Sequence, residues 1–211
     1  MPTLEQARQW YQSAESVHNF DHVLRVYRTA ERLAQAENAD LEIVRAAALL
    51  HDVADSAAGS QQRKEHHIAS AEFAAGVLAE EGWPPERIAA VQHCIRAHRF
   101  RHNGDEPQTV EAKVLFDADK LDVLGAIGVV RVVAYATLAG QPIYAEPSAR
   151  FLASGEKEPG EPHSAYHEHL FKLVKIKERL FTHAAKKLAE ERDAYIRAFF
   201  ERLIAESNGE L

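Results

Sequence analysis

The feature that most constrains the fold is a helical segment, residues 41 to 53, that is apolar on nearly every face. Its sequence is "LEIVRAAALLHDV", in which only Glu42 and Arg45 carry charge before His51 and Asp52 are reached. A helix that is apolar all round has to be covered by other elements on most sides. We therefore expect a central buried helix that ends on ionisable side chains.

The neighbouring segments also show helical periodicity. Residues 21 to 36 place apolar side chains on one stripe with charged residues between them, and Asn19 or Asp21 is a suitable cap at the start. Residues 123 to 138 contain β-branched residues that permit a strand, but the length and the alanines favour a buried helix. Further helices are predicted at 66–81, 86–99, 109–122, 165–181 and 184–206. The pattern predicts an all-α fold that ends in two long helices.

A single domain accounts for the whole chain of 211 residues, since this length does not require a second core. Residues 139 to 164 contain four of the eight prolines, so we interpret them as a long loop or lid. The predicted organisation is a core at about 17–138, this loop at 139–164 and C-terminal helices at 165–206.

Composition narrows the classes of function. The net charge of −7 argues against a nucleic-acid partner or an anionic membrane surface, and a small-molecule substrate is favoured. The start of the chain has no basic and apolar export signal, which favours the cytoplasm. The single cysteine, Cys94, excludes an internal disulfide framework. We expect a monomer or a homodimer.

Twelve histidines are the compositional oddity, and histidine is the commonest metal ligand. Ligand-type side chains occur in four segments: "NFDHVLRV" with His22, "LLHDVAD" with His51, Asp52 and Asp55, "HCIRAH" with His93 and His98, and "FDADKLD" with Asp117, Asp119 and Asp122. A buried carboxylate needs a cation or a metal as a partner. Histidine and aspartate together suit a borderline divalent ion such as Mn²⁺, Fe²⁺, Co²⁺, Ni²⁺ or Zn²⁺.

In their order along the chain, His22, His51-Asp52 and Asp119 resemble the HD-domain superfamily of metal-dependent phosphohydrolases. The flanking stretches "HVLRV", "ALLHDVAD", "HHIASAEFA" and "DADKLDVLGAIGVVR" are similar too. The resemblance covers residues 17 to 204 and is strongest to a small stand-alone bacterial branch that includes nucleotide pyrophosphohydrolases. Two departures are Asn19, where that branch often has aspartate, and Lys120, where arginine is frequent.

The resemblance implies that His22, His51, Asp52 and Asp119 bind the metal ion. It favours Mn²⁺, with Mg²⁺, Co²⁺, Ni²⁺, Fe²⁺ or Zn²⁺ as alternatives. Asp55 falls where relatives often carry an acidic residue near the attacking water, and it lies one helical turn after His51. We therefore predict that Asp55 is catalytic and orients this water or takes its proton.

Substrate phosphates need cationic or hydrogen-bonding contacts. Arg25 lies one turn after His22 and Lys120 follows Asp119, so the chain places both near the predicted metal. Arg99 belongs to the basic stretch "IRAHRFRH", and guanidinium groups match phosphate oxygens well. His67 and His98 are candidates for substrate contact or for a second metal, and the resemblance favours contact. We interpret His163, His167 and His169 as surface or lid residues.

The leading functional hypothesis is a nucleoside triphosphate pyrophosphohydrolase that uses a metal-activated water. Removal of phosphate from a 5′-nucleotide or of diphosphate from an alarmone is the nearest alternative. A di-iron oxygenase is a second class, with His67 and either His93 or His98 as the extra ligands. A non-catalytic HD scaffold is the third class, and retention of the whole predicted ligand set argues against it.

Overall fold

The structure, a computed structural model, describes residues 1–11, 20–54, 61–99 and 105–211, leaving out the side chains of residues 61–64. These parts of the chain contain α-helices and two short 3₁₀ turns and no strand, so the predicted all-α fold is confirmed. The α-helices are α1 (Leu4–Trp10), α2 (Phe20–Glu37), α3 (Leu41–Leu50), α4 (Gln61–Glu80), α5 (Pro85–Ala97), α6 (Val110–Leu121), α7 (Gly125–Leu138), α8 (Ala149–Ser154), α9 (Ala165–Phe171) and α10 (His183–Ser207).

Internal contacts group the chain into two compact units. The first unit comprises Met1–Asp119 and Leu180–Ala185. The second comprises Lys120–Arg179 and Lys186–Leu211. One HD domain over residues 1–211 stays a prediction.

In the first unit α3 is central, as its apolar sequence predicts. It packs against α1, α2, α4 and α5, and the side chains from Ala46 to Leu50 are all buried. The Asp40 carboxylate caps its start by accepting from the backbone N–H groups of Glu42 and Ile43, at 3.0 and 3.2 Å. The helix ends at Leu50, three residues before the predicted end, so His51 and Asp52 occupy the turn that follows it.

Helix α4 buries one line of side chains at a spacing of four residues. His66, Ser70, Ala74 and Leu78 are all buried. Residues four apart lie on the same face of a helix, one turn above another. The face of α4 that contacts α3 and α5 is therefore the face that carries His66.

In the second unit residues 125–138 form helix α7, so the helical interpretation of this segment is confirmed over the strand. Its start needs glycine. Gly125 has a φ of +69°, in the left-handed region that side chains disfavour, and the side chain of Arg192 lies against it. At Gly128 an added Cβ would come within 2.3 Å of the Val123 carbonyl oxygen.

Two predictions for the C-terminal part are wrong. Residues 165–181 do not form one long helix, because α9 ends at Phe171 and 3₁₀ turns follow at Leu173–Lys175 and Lys177–Arg179. The region predicted as loop contains α8, which Ser148 caps. The second long helix is confirmed as α10.

The interpretation of three C-terminal histidines as surface or lid residues is also corrected. His167 and His169 are buried, since their rings lie against Phe151 and Phe200 respectively, and His163 is only partly exposed.

Among the described residues no single helix is long and apolar enough to cross a membrane. The bent pair of α6 and α7, taken together, has sufficient length and apolar composition by those two criteria alone.

Candidate metal centre

Four predicted ligands come together in the first unit. His22 projects from α2, His51 and Asp52 follow α3, and Asp119 belongs to α6. The ligand atoms of His22, His51 and Asp119 all lie within 4.8 Å of one another. The Nε2 atom of His22 is 3.4 Å from Oδ1 of Asp119 and 3.7 Å from Oδ2 of Asp52. His22, His51 and Asp52 are buried, so the group is shielded from solvent.

The end of α3 fixes the orientation of the His51 ring. Nδ1 of His51 is 2.8 Å from the carbonyl oxygen of Ala48, one of the carbonyls that the end of the helix leaves without a helical partner. Since a carbonyl only accepts, Nδ1 carries the hydrogen and donates it. The lone pair of the neutral ring is therefore on Nε2, which is the arrangement that a metal ligand requires.

Nε2 of His51 is buried and makes no hydrogen bond with any residue that the structure describes. Oδ2 of Asp52 lies 3.5 Å from this atom. Two electron-rich atoms at this separation need a cation near them. Burial also lowers the pKa of His51 to about 4, so the ring stays neutral near neutral pH.

Asp52 faces two groups of imidazoles with its two oxygens. Oδ2 faces His22 and His51, at 3.7 and 3.5 Å. Oδ1 faces His66 and His98, at 3.1 and 3.3 Å. Asp52, His66 and His98 form a second set of three buried ligand-type residues. One carboxylate therefore joins both sets.

His98 is held in the same way as His51. It follows the last residue of α5, and its Nδ1 donates to the carbonyl oxygen of Ile95 at 2.5 Å. Two helix ends thus present a histidine with Nδ1 bound to its own backbone and Nε2 turned toward Asp52.

The three aspartates of "FDADKLD" have separate roles. Asp119 faces His22 in the first set. Asp117 is buried and accepts from the backbone N–H groups of Phe181 and Thr182, at 2.9 and 2.8 Å, and from the Thr182 hydroxyl. Asp122, in the second unit, pairs with Arg131. Asp117 and Asp122 therefore stabilise local structure.

The predicted substrate-binding residues are placed as follows. Arg25 is half-buried on α2, one turn after His22, and Lys120 is half-buried and follows Asp119 on α6. Arg99 donates to Nδ1 of His66 at 2.9 Å. His98 faces Asp52 and belongs to the second set.

His67 is half-buried, and its ring lies edge-on to the His66 ring. Burial, with help from nearby His98, lowers the pKa of His67 to about 4. Its contact with substrate stays a prediction. The predicted catalytic Asp55 lies outside the described residues.

His66 is the residue of the site that the sequence interpretation missed. Of the pair His66-His67, the second was chosen, whereas His66 is the one that reaches Asp52. The buried face of α4 contains the signal, because counting back from Leu78 in steps of four gives Ala74, Ser70 and His66. His93, the other candidate for an extra ligand, instead accepts a hydrogen bond from the backbone of Gln108.

The donors fit a divalent ion of intermediate softness. Two imidazole nitrogens and two carboxylates form a mixed set of the kind that Mn²⁺, Fe²⁺, Co²⁺, Ni²⁺ and Zn²⁺ accept. The buried Nε2 of His51, with no hydrogen bond to a described residue, supports this fit directly.

Comparison with known proteins gives a consistent result. Residues 19–124 match the HD domain family. YpgQ of Bacillus subtilis strain 168 is 33% identical over 206 residues, which is 94% of this chain and 91% of YpgQ.

Solved structures of similar proteins agree with this assignment to the HD domain family. The crystal structure of Bacillus subtilis YpgQ in complex with ADP is similar, with a TM-score of 0.73 and 30% identity over 97% of both chains. An HD-superfamily hydrolase from Bacillus thuringiensis has a TM-score of 0.73 and 29% identity, over 97% of this chain and 94% of the other. The fold is therefore that of HD-superfamily hydrolases.

Proposed function

The chain belongs to the HD-domain family, and we propose from this premise that it is a metal-dependent phosphohydrolase acting on nucleotides. The favoured reaction is release of pyrophosphate from a nucleoside triphosphate. The observation that carries the proposal is the buried His51, whose Nδ1 hydrogen is bound to Ala48 and whose Nε2 lone pair faces the Asp52 carboxylate. In this proposal His22, His51, Asp52 and Asp119 hold the ion, and Mn²⁺ is the favoured metal.

When bound, such an ion lowers the pKa of a water molecule and polarises a phosphoryl oxygen. The residues of the chain do the rest. The carbonyl of Ala48 keeps the His51 ring in one tautomer, and burial excludes bulk water from His22, His51 and Asp52. A ligand set that is positioned beforehand avoids the cost of reorganisation during the reaction.

Asp55 is proposed as the group that orients the attacking water or accepts its proton. Arg25, Lys120 and Arg99 are proposed to contact the phosphates, because cationic side chains offset the charge of a polyphosphate. His67 and His98 add nitrogen atoms that can hydrogen-bond to phosphate oxygens.

Nucleotides are proposed as substrates on two grounds. The similar protein YpgQ has been crystallised with ADP. The second ground is the resemblance to the small bacterial branch described above. The test is a panel of nucleoside mono-, di- and triphosphates with Mn²⁺, Mg²⁺, Co²⁺ or Ni²⁺, with products separated by chromatography. Pyrophosphate with a nucleoside monophosphate supports the favoured reaction, whereas orthophosphate from monophosphates identifies a nucleotidase.

Asp55→Asn separates binding of the metal from catalysis. We expect this variant to lose about 10²- to 10⁴-fold in kcat, the usual contribution of a positioned acid or base, while it still binds Mn²⁺. The matched control is Asp105→Asn, because Asp105 is an exposed carboxylate paired with Arg96. Unchanged kcat in Asp55→Asn would remove this residue from the mechanism.

A further inference from the structure

We propose that Asp117 is a positioning residue for the metal centre: by binding the residues that lead into α10, it fixes the rotation of α6 that turns Asp119 toward His22. The inference rests on the proposed metal centre and deepens it. It gives Asp117, whose oxygens bind Phe181 and Thr182, a measurable effect on metal affinity.

The Asp117 carboxylate makes three hydrogen bonds with two consecutive residues. Oδ1 accepts from the backbone N–H of Phe181 at 2.9 Å. Oδ2 accepts from the backbone N–H of Thr182 at 2.8 Å and from the Thr182 hydroxyl at 2.7 Å. Asp117 and Thr182 are both buried, so these hydrogen bonds are shielded from water and are strong.

The residues that Asp117 binds lead directly into α10. The hydroxyl oxygen of Thr182 accepts from the backbone N–H of Ala185, as the side chain of a residue that caps a helix does. Glu37, the last residue of α2, accepts from the backbone N–H of Ala184 at 2.7 Å. Backbone N–H groups at the start of a helix have no partner within the helix and favour carboxylates. Two carboxylates, one from α6 and one from α2, therefore hold the start of α10.

Asp117 and Asp119 lie on opposite faces of α6. An α-helix turns by about 100° per residue, so two positions correspond to about 200°. One face presents Asp117 to Thr182, and the other presents Asp119 to His22, whose Nε2 is 3.4 Å from Oδ1 of Asp119. Since a helix rotates as a unit, the hydrogen bonds on the first face fix the direction of the side chain on the second.

Apolar packing selects this rotation of α6 only weakly. The side chains from Val114 to Ala118 are all buried, and all except Asp117 are apolar. Five consecutive residues cover every face of a helix, and the burial of apolar surface has no preferred direction. Hydrogen bonds do have one. Asp117 therefore provides a directional contact in a segment that is otherwise apolar on all sides.

Thr182→Val tests this contact without changing any charge. The variant keeps the shape of the side chain and loses the hydroxyl that donates to Asp117. We expect its Mn²⁺ affinity to fall by about tenfold, the lower end of the loss seen when a group that orients a metal ligand is removed. Thr182→Ser retains the hydroxyl and should bind Mn²⁺ as tightly as the unaltered protein. Equilibrium dialysis with elemental analysis is the measurement.

Asp117→Asn is the larger change. An amide has a single oxygen, so at least one of the three donors loses its acceptor. Mn²⁺ affinity should fall by up to about 100-fold. The matched control is Glu37→Gln, which removes the same charge from a carboxylate that contacts the same segment. Glu37 lies about 22 Å along α2 from His22, so this control should bind Mn²⁺ as the unaltered protein does.

A double-mutant cycle determines whether the contact acts through Asp119. Thr182→Val should have no effect on Mn²⁺ affinity in an Asp119→Ala background, because the side chain whose direction it alters is absent. A general loss of stability would instead weaken binding by the same factor in both backgrounds. Urea denaturation of the metal-free proteins shows whether each variant is folded.

Two results would overturn the inference. One is unchanged Mn²⁺ affinity in folded Asp117→Asn and Thr182→Val, and the other is an equal loss with and without Asp119. If Asp117→Asn does not fold, Thr182→Val and its cycle decide alone. If the unaltered protein binds Mn²⁺ but hydrolyses no nucleotide, the proposed function fails, and the cycle still decides this inference. A protein that binds no Mn²⁺ would overturn both.

Discussion

Two groups of histidines and carboxylates in this protein use the same residue types to opposite effect. The first is the candidate metal centre in the first unit, defined by His22, His51, His66, His98, Asp52 and Asp119. The second lies in the second unit, and we name it the Glu161 cluster; it contains Glu161, Ser164, His167, His163 and Glu168.

The Glu161 cluster satisfies its polar atoms internally. The Glu161 carboxylate accepts from the backbone N–H groups of Ser148 and Glu158, from the Ser148 hydroxyl and from Nε2 of His167. Hydrogen bonds, first of all the one from the Ser148 backbone, lower the pKa of Glu161 to about 2. Nδ1 of His167 is 2.6 Å from the Ser164 hydroxyl, so both ring nitrogens have partners.

The metal centre differs at the corresponding atoms. Nε2 of His51 is buried and makes no hydrogen bond with a described residue, and its distance to Asp52 is 3.5 Å against 3.0 Å for His167 to Glu161. A complete network rigidifies a fold, whereas an incomplete one needs a further group. The comparison teaches that a buried ring nitrogen that makes no hydrogen bond with a described residue and also faces a carboxylate, as in His51, indicates a metal site better than the number of histidines does.

The largest expected effect comes from removing His51, whose Nε2 makes no hydrogen bond with a described residue. His51→Ala should lower kcat/KM for a nucleoside triphosphate by about 10³-fold or more, because a bound ion contributes several kcal/mol to stabilisation of the transition state. Pyrophosphate release with Mn²⁺ is the measurement. His167→Ala, which removes a histidine that is equally buried, should stay within about threefold at 25 °C. Equal losses in both variants would contradict the distinction.

For the free energy of unfolding we expect the opposite order, with a larger loss from a change in the Glu161 cluster than from one in the metal centre. His167→Ala should lower the free energy of unfolding by about 2 to 4 kcal/mol, since it creates a cavity and leaves buried partners without their hydrogen bonds. Urea denaturation of the metal-free protein measures this. His51→Ala removes a ring that makes a single hydrogen bond within the described part of the chain, to Ala48, and should cost less. A larger loss in His51→Ala would place the structural role at the metal centre.

Metal binding should stabilise the fold through the first group alone. With Mn²⁺ at about 100 times its Kd, binding to the native state adds about 2.7 kcal/mol, or about 5 to 10 °C in Tm for a chain of this size. His167→Ala should gain as much Tm as the unaltered protein, and His51→Ala should gain almost none. Thermal shift in matched Mn²⁺ and EDTA samples tests this. A full shift in His51→Ala would exclude His51 as a ligand.

The smallest expected effect concerns pH and the neighbouring His169. Burial, assisted by the charge of Arg197, lowers the pKa of His169 to about 4. Its unfolded pKa is about 6.5, so between those values the unfolded chain binds a proton that the folded chain does not. Stability should therefore fall as the pH falls from 6.5 toward 4.

His169→Phe tests this dependence, because an aromatic ring retains the stacking on Phe200. The variant should lose at most about 1.4 kcal/mol per pH unit of the slope in that window. Urea midpoints of the metal-free proteins at pH 7 and pH 5 provide the measurement. An unchanged slope would mean that His169 does not contribute to the pH dependence.

The fold was largely predictable because helical periodicity reports burial directly. The buried faces of α2 and α3 follow from their apolar spacing, and α10 was located nearly to its ends. The same spacing led to the wrong prediction of one long helix at residues 165–181. Leu173, Ile176 and Leu180 are buried at intervals of three and four, which suits both an α-helix and successive 3₁₀ turns.

The candidate site was predictable in part. The grouping of His22, His51, Asp52 and Asp119 agrees with the expectation from the order of motifs, although their binding of a metal stays a prediction. The contribution of His66 depends on helical phase, where a shift of one residue changes the face. The contact of His66 with Arg99 joins residues that are 33 apart in the sequence, and local patterns contain no information about it.

The way in which α3 ends on His51 limits how this chain can vary in length. His51 takes its orientation from Ala48 in its own last turn, and Asp40 fixes the other end of the same helix. An α-helix advances by about 100° per residue, so one residue inserted between Leu41 and Leu50 would turn His51 away from Asp119 or move the cap out of place. Insertions and deletions should therefore be excluded from this segment while they accumulate in the surface loops.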